Sequence, residues 1–267
     1  MRAAGAGDVT RVAVRASAGR VRCDLHLGPL SPRVLSTGPG VARVALVATR
    51  ALLLGGDHVR VEVCVGEGVE LELVEVSGTV AYPGRGRAAS WHVDVRVADG
   101  GLLVWDALPF VVAQEADVDR RTDVELGRDA AALLRETIVL GRTGETGGRV
   151  RTRTRAERAH DGELFVEDLD LGRDRSLPGI LGTARVVDSV LLVGARPPDP
   201  GDGSPAGAAA GSDPLRLDLD GPGAVARHLG AGTHDSGLAA VAAGWAGAVR
   251  AAREPTTSSS KTAAVPA

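Results

Sequence analysis

From His58 to Val65 apolar and polar residues alternate: Val59, Val61, Val63 and Val65 share one phase, and His58, Arg60, Glu62 and Cys64 share the other. Side chains along a strand point to opposite sides with a period of two, so this segment predicts a half-buried strand. The pattern recurs at Val69–Leu73, Trp91–Val97 and Arg149–Arg155. Further strands are expected at Arg11–Ala16, Val21–Leu27, Val41–Ala48, Glu163–Leu171, Val186–Val193 and Leu215–Leu219. Turns rich in Gly and Asp separate them, as at Gly55-Gly56-Asp57, Gly66-Glu67-Gly68, Asp99-Gly100-Gly101 and Asp161-Gly162. Many short strands predict a mainly β protein, built as a sandwich, a barrel or a coiled β-solenoid. No fixed-length repeat is visible. Between Val69 and Val76 the apolar phase shifts from 69, 71, 73 to 74, 76, which predicts a β-bulge near Leu73-Val74.

Helical signals are few, which makes the helical part small. Asp129 is placed to cap a short helix over Ala130–Glu136, with the β-branched Thr137-Ile138-Val139-Leu140 turning into a strand. The clearer case is Ser236–Arg253, where a capping serine precedes Leu238, Val241, Trp245 and Val249 at helical spacing. Residues 1–254 are expected to form a single β-rich domain. Within it, 197–214 is rich in Pro, Gly, Ala and Asp and reads as a flexible surface insertion, and 255–267 reads as a disordered tail.

Composition narrows the function classes. Across 267 residues, 31 basic and 34 acidic side chains give a net charge of −3, and aromatics are 2% of the chain. A nucleic-acid binder would show a basic excess or a stacking platform. Neither is present. The only lysine, Lys261, lies in the Ser/Thr/Ala-rich tail. A Walker A loop and a pyridoxal Schiff base both need a placed lysine, so the glycine-rich stretch Gly141–Gly148 resembles a phosphate loop in composition alone. Cys23 and Cys64 are too few for a disulfide framework. The longest apolar region, Val41–Leu54, is interrupted by Arg43 and Arg50. No signal peptide or membrane span is expected, so the default is a soluble cytoplasmic protein.

Candidate chemistry is sparse. Serine-hydrolase, zinc-protease, zinc-ribbon and dinucleotide-binding motifs are all lacking. Asp57, His58, Cys64 and His92 stand on or beside polar strand faces and have the donor types of a borderline divalent ion; each is also an ordinary strand residue. Asp57, Glu136 and Glu167 border or interrupt apolar runs, where a carboxylate is either solvated, paired with an arginine or bound to a cation. Arg149, Arg151, Arg153 and Arg155 make one basic face, read as a salt-bridged edge or as a docking stripe for an acidic partner.

A series of short motifs, in order, resembles the urease accessory protein UreD (UreH) family. They are His26-Leu27-Gly28-Pro29-Leu30, the Leu54-Gly55-Gly56-Asp57 turn, the Gly78-Thr79…Tyr82 segment, the Gly101…Trp105 strand, and Leu140-Gly141-Arg142 followed by Gly144-Glu145. The Glu-bearing strand Glu163–Leu169 and the C-terminal helix with Trp245 and Arg250 complete the series. The resemblance implies a non-enzymatic nickel-insertion chaperone with a β-solenoid-like fold. It implies partners UreF, the GTPase UreG and apo-urease, with a homodimer within the accessory complex also in view. It also implies that no cofactor is held tightly and that Ni²⁺ is in transit through an internal passage. On that picture Asp57, Thr79, Glu136 and Glu167 line the passage, while Gly55, Gly56, Trp105, Gly141, Arg142, Gly144 and Glu145 are structural. Two other readings remain: a metal-free adaptor domain, and a β-solenoid glycoside hydrolase using paired carboxyls.

Overall fold

The computed structural model describes residues 9–159, 161–199 and 214–253. Most of the expected insertion (200–213) and the expected tail (255–267) lie outside the described residues. In chain order the strands are β1 (Val9–Ser17), β2 (Arg20–His26), β3 (Leu30–Thr37), β4 (Val41–Ala48), β5 (His58–Val65) and β6 (Glu70–Glu75). Then come β7 (Thr79–Ala81), β8 (Ala89–Val97), β9 (Leu102–Asp106), β10 (Phe110–Val112), β11 (Asp117–Leu126) and β12 (Ala131–Leu140). The last are β13 (Arg149–Arg158), β14 (Gly162–Leu171), β15 (Val186–Val193), β16 (Leu215–Asp218) and β17 (Gly223–Gly230), followed by the helix α1 (Leu238–Arg253).

Two sheets result. The first runs β14-β13-β11-β8-β5-β1-β2 and the second β16-β17-β15-β12-β9-β6-β4-β3, with β7 and β10 joined to it beside β12. Strands β1, β5, β8, β11 and β13 are parallel to one another, as are β4, β6, β9 and β12. Parallel neighbours need crossovers, and here the crossover is the other sheet: the chain winds between the two as a coil. Val59 stands beside Trp91, Trp91 beside Arg120 and Arg120 beside Thr152, so successive coils take 32, 29 and 32 residues. That unequal pitch is why no fixed repeat is legible in the sequence.

The alternating valines meet between the sheets. Val61, Val63, Val93, Val95 and Val124 of the first sheet pack with Leu71, Leu73 and Leu103 of the second in one core. The opposite face of the second sheet carries a separate core, where Leu238, Ala242, Trp245, Ala246 and Val249 of α1 cover Leu102, Leu133, Val190 and Leu192. The first sheet has one wet face and so alternates cleanly; the second is buried on both faces around β9, β12 and β15.

That difference corrects one expectation. Ala130–Glu136 is not a helix: Ala131–Leu140 is a single strand, paired in parallel with β9 and β10 and antiparallel with β15. Its Ala/Leu run lacks alternation because both faces are covered, and Asp129 turns the chain in the left-handed region (φ 54°) instead of capping a helix. The expected bulge near Leu73 is also absent. Strand β6 pairs with β4 in unbroken register through Val44–Leu73, Ala45–Val74 and Leu46–Glu75. The inward phase continues 71, 73, 75, and a glutamate occupies its third place. The C-terminal helix forms as expected from Leu238, with Ser236 Oγ accepting the Leu238 N–H at 3.2 Å.

Candidate functional site

The inward column that begins with Val59 and Trp91 continues with Arg120 and Thr152. The next column runs Val61, Val93, Thr122, Thr154 and Glu167. The interior of the coil therefore changes from valine to polar residues toward β13 and β14. Across it, the second sheet contributes Glu75, Trp105, Glu136, Ser189 and Arg227. Together these walls enclose a cavity of about 90 Å³. That is room for several waters, since one water needs roughly 10–15 Å³ on this measure. Leu108, 38% exposed, is part of its lining and brings it to the surface.

Of the residues expected to line a passage, Thr79, Glu136 and Glu167 line this cavity. Asp57 does not. Its carboxylate accepts the Leu54 N–H at 3.0 Å and its own N–H donates to the Leu54 carbonyl at 2.9 Å, closing the turn before β5. The turn needs its glycines: a Cβ at Gly55 would sit 2.3 Å from the Gly84 carbonyl oxygen, and Gly56 has φ +88°.

Two ion pairs cross the lumen from sheet to sheet. Arg120 on β11 pairs with Glu136 on β12, and Arg227 on β17 donates to Glu167 on β14 at 2.7 Å. Arg227 also donates through Nε to Ser189 Oγ at 3.0 Å, and Ser189 stands beside Glu136 in the ladder. The Arg120 side chain is 9% exposed, its guanidinium lies 4.1 Å over the Phe110 ring, and its Nε and Nη1 have no hydrogen-bond partner among the described residues. Orphaned buried donors are rare and costly. Glu75 accepts the Leu108 N–H at 3.1 Å and the Trp105 indole N–H at 3.3 Å. Burial pushes its pKa up to about 7 and the Glu136 charge adds to the rise, while the Leu108 N–H, the Arg120 charge and the Trp105 N–H hold it back. Glu75 and Arg120 escaped the reading of the sequence. The available signal was their phase: Glu75 follows Leu71 and Leu73, and Arg120 shares its phase with Val118, Val124 and Leu126.

The remaining expected residues have structural settings. Trp105 is buried and holds Glu75. Glu145 accepts the Arg142 Nε–H at 2.9 Å, the Arg142 N–H at 2.9 Å and the Gln114 N–H at 3.1 Å. These bonds, the Arg142 guanidinium first, hold its pKa down at about 2. Gly141 (φ 85°) and Gly144 (φ 80°) turn the chain around that staple. His58 lies 2.8 Å from Ser90 Oγ and His92 3.8 Å from Asp119, both on the wet face of the first sheet. Burial raises the Cys64 thiol pKa. Among the described residues no three His, Cys, Asp or Glu side chains converge as metal ligands. The arginine face of β13 is not an edge, because β14 pairs beyond it. Arg149 binds Asp170, Arg153 binds Asp168 and Arg155 binds Glu163 across that ladder. None of the helices among the described residues is long and apolar enough to cross a membrane.

Comparison with known proteins identifies the family. The family described as "UreD urease accessory protein" matches residues 6–256. Urease accessory protein UreD 1 of Streptomyces griseus is 50% identical over 228 residues, covering 83% of this chain and 84% of the relative. The UreD of Frankia casuarinae is 40% identical over 204 residues, 72% of this chain and 61% of its own length. UreD 1 of Saccharopolyspora erythraea is 36% identical over 209 residues, with coverage of 76% and 78%. These relatives carry the name of accessory proteins and not of enzymes. The chain belongs to the UreD family of urease accessory proteins.

Proposed function

We propose that this chain is a non-enzymatic urease maturation factor that works in the cytoplasm as a scaffold for UreF and the GTPase UreG on apo-urease. We further propose that the cavity between the sheets is a stretch of the route along which Ni²⁺ travels as cargo. The observation that carries this reading is a cavity between two β walls, large enough for several waters, with Glu136, Glu167 and Glu75 on its surface. Carboxylates, hydroxyls and water bind nickel more weakly than an imidazole or thiolate cage, which suits a group that must let the ion go. Spaced negative charges lower the cost of a dication inside a low-dielectric body.

The test is activation of urease in cells expressing the urease subunits and all accessory proteins. Glu136→Gln combined with Glu167→Gln is expected to lower urease activity at least about tenfold while the chain still co-purifies with its partners. Asp57→Asn, which loosens a turn outside the cavity, is expected to act on stability alone. Unchanged activation by the double variant would leave the metal-free adaptor as the reading. Failure to co-purify with UreF, UreG or apo-urease would remove the scaffold.

A further inference from the structure

Among the described residues, Arg120 is the arginine of the cavity wall with buried donors to spare. Arg135 is turned onto Asp106 and Asp188, and Arg227 onto Glu167 and Ser189. Arg120 holds Glu136 through Nη2, while its Nε and Nη1 donate to nothing. A guanidinium has five N–H bonds in one plane, and Nη2 contributes one to each of two edges. A contact through Nη2 alone fills one edge. The other keeps a parallel pair of N–H groups, the fork that takes two oxygens of a planar oxyanion. The Phe110 ring, 4.1 Å from the guanidinium, covers one of its faces and confines further partners to its plane. Trp91, Trp105 and Ile138 give the chamber apolar walls, and Thr122 and Thr154 add hydroxyl donors on the wall that carries Arg120. Its volume of about 90 Å³ exceeds what one water fills and suits a guest the size of formate or nitrate.

We propose that the chamber is a binding site for a small planar oxyanion of the carboxylate type, taken in plane by the free edge of Arg120. Glu136 stays on the other edge, so one guanidinium is shared between an internal carboxylate and an external one. The side chain is 9% exposed, so water screens its charge little and the guest meets it at nearly full strength. Glu75 works the other way. It holds the Leu108 and Trp105 N–H groups, and its charge opposes a second anion in the same space. Affinity is thereby limited, and the guest exchanges through the opening beside Leu108. No covalent bond forms or breaks. The site needs no metal and stands independently of the nickel route.

Formate is the probe. Relaxation of ¹³C-formate is followed as it is titrated against the purified full-length chain, at constant ionic strength made up with chloride and with folding checked by circular dichroism. The parent should bind formate saturably at one site, and nitrate, which is also planar, should displace it. Arg120→Lys keeps the charge and loses the fork, and is expected to bind formate at least about tenfold more weakly. Glu75→Gln removes the opposing charge and is expected to bind about tenfold more tightly. It reads the same site without touching the arginine, and serves if Arg120→Lys does not fold. The proposal is overturned if the parent shows no saturable binding, in which case water or Glu75 itself satisfies Arg120. Formate binding that is equal in Arg120→Lys, or no tighter in Glu75→Gln, overturns it as well.

Discussion

Glu75 shows how one side chain couples the fold to the lumen. It occupies the third inward place of β6, after Leu71 and Leu73, and its oxygens take N–H groups from Trp105 and Leu108. Its pKa, about 7, is raised above the ordinary 4.5 mainly by burial. An acid whose folded pKa is raised binds more protons in the folded chain than in the unfolded one. Its stabilising contribution is therefore complete below pH 4.5 and is lost as pH climbs through 7. Glu75→Gln mimics the protonated form and should remove that dependence. Urea unfolding at pH 5 and pH 8 should show the parent losing about 2 kcal/mol more than the variant between those values, a figure reduced from the full shift because the cavity reaches the surface beside Leu108. Equal pH slopes would mean that the Glu75 carboxyl is solvated as freely in the folded chain as in the unfolded one.

Among the elements, β12 and α1 depend on one buried carboxylate. Asp188 on β15, with no exposed surface, accepts from Arg135 at 2.9 and 3.1 Å, from Thr137 at 2.9 Å and from Ser236 at 2.6 Å. Ser236 in turn accepts the first helical N–H, so Asp188 ties the start of α1 to the sheet it covers. Asp188→Ala leaves Arg135, 15% exposed, with Asp106 as its remaining carboxylate and should cost about 3 kcal/mol, whereas Ser236→Ala should cost only about 1 kcal/mol. Denaturant unfolding distinguishes the two, and equal losses would mean that the arginine is re-solvated. The same elements mark what the sequence discloses. A strand with one wet face, such as His58–Val65, is legible to the residue because alternation is a local property. Strand β12 is not, since cover on its second face comes from a helix more than 90 residues later. Glu136 and Glu167 stand out as acids against apolar runs. Glu75 and Arg120 hide because their inward direction depends on the register of neighbouring coils, and the polar third place of β6 looks instead like a shift of phase.

For the molecule as a whole, polarity changes along the coil axis. The inward column Val61, Val93, Thr122, Thr154, Glu167 begins as hydrocarbon and ends as a carboxylate. Packing alone would favour valine throughout, because threonine matches its shape and adds a hydroxyl that needs a partner. Threonine at 122 and 154 thus puts hydroxyls on the cavity wall at some expense of core stability. Thr122→Val with Thr154→Val extends the valine column with almost no change of volume and should leave the fold intact, with thermal unfolding at or above the parent's. By stripping hydroxyls from the cavity wall it should expel water and leave Glu136 and Glu167 in a drier space, where admitting a dication costs more. Urease activation in cells carrying the double variant should therefore fall several-fold while the amount of assembled accessory complex is unchanged. A variant that gains stability and activates urease as well as the parent would mean that the polar end of the coil serves packing alone and is no part of the proposed nickel route.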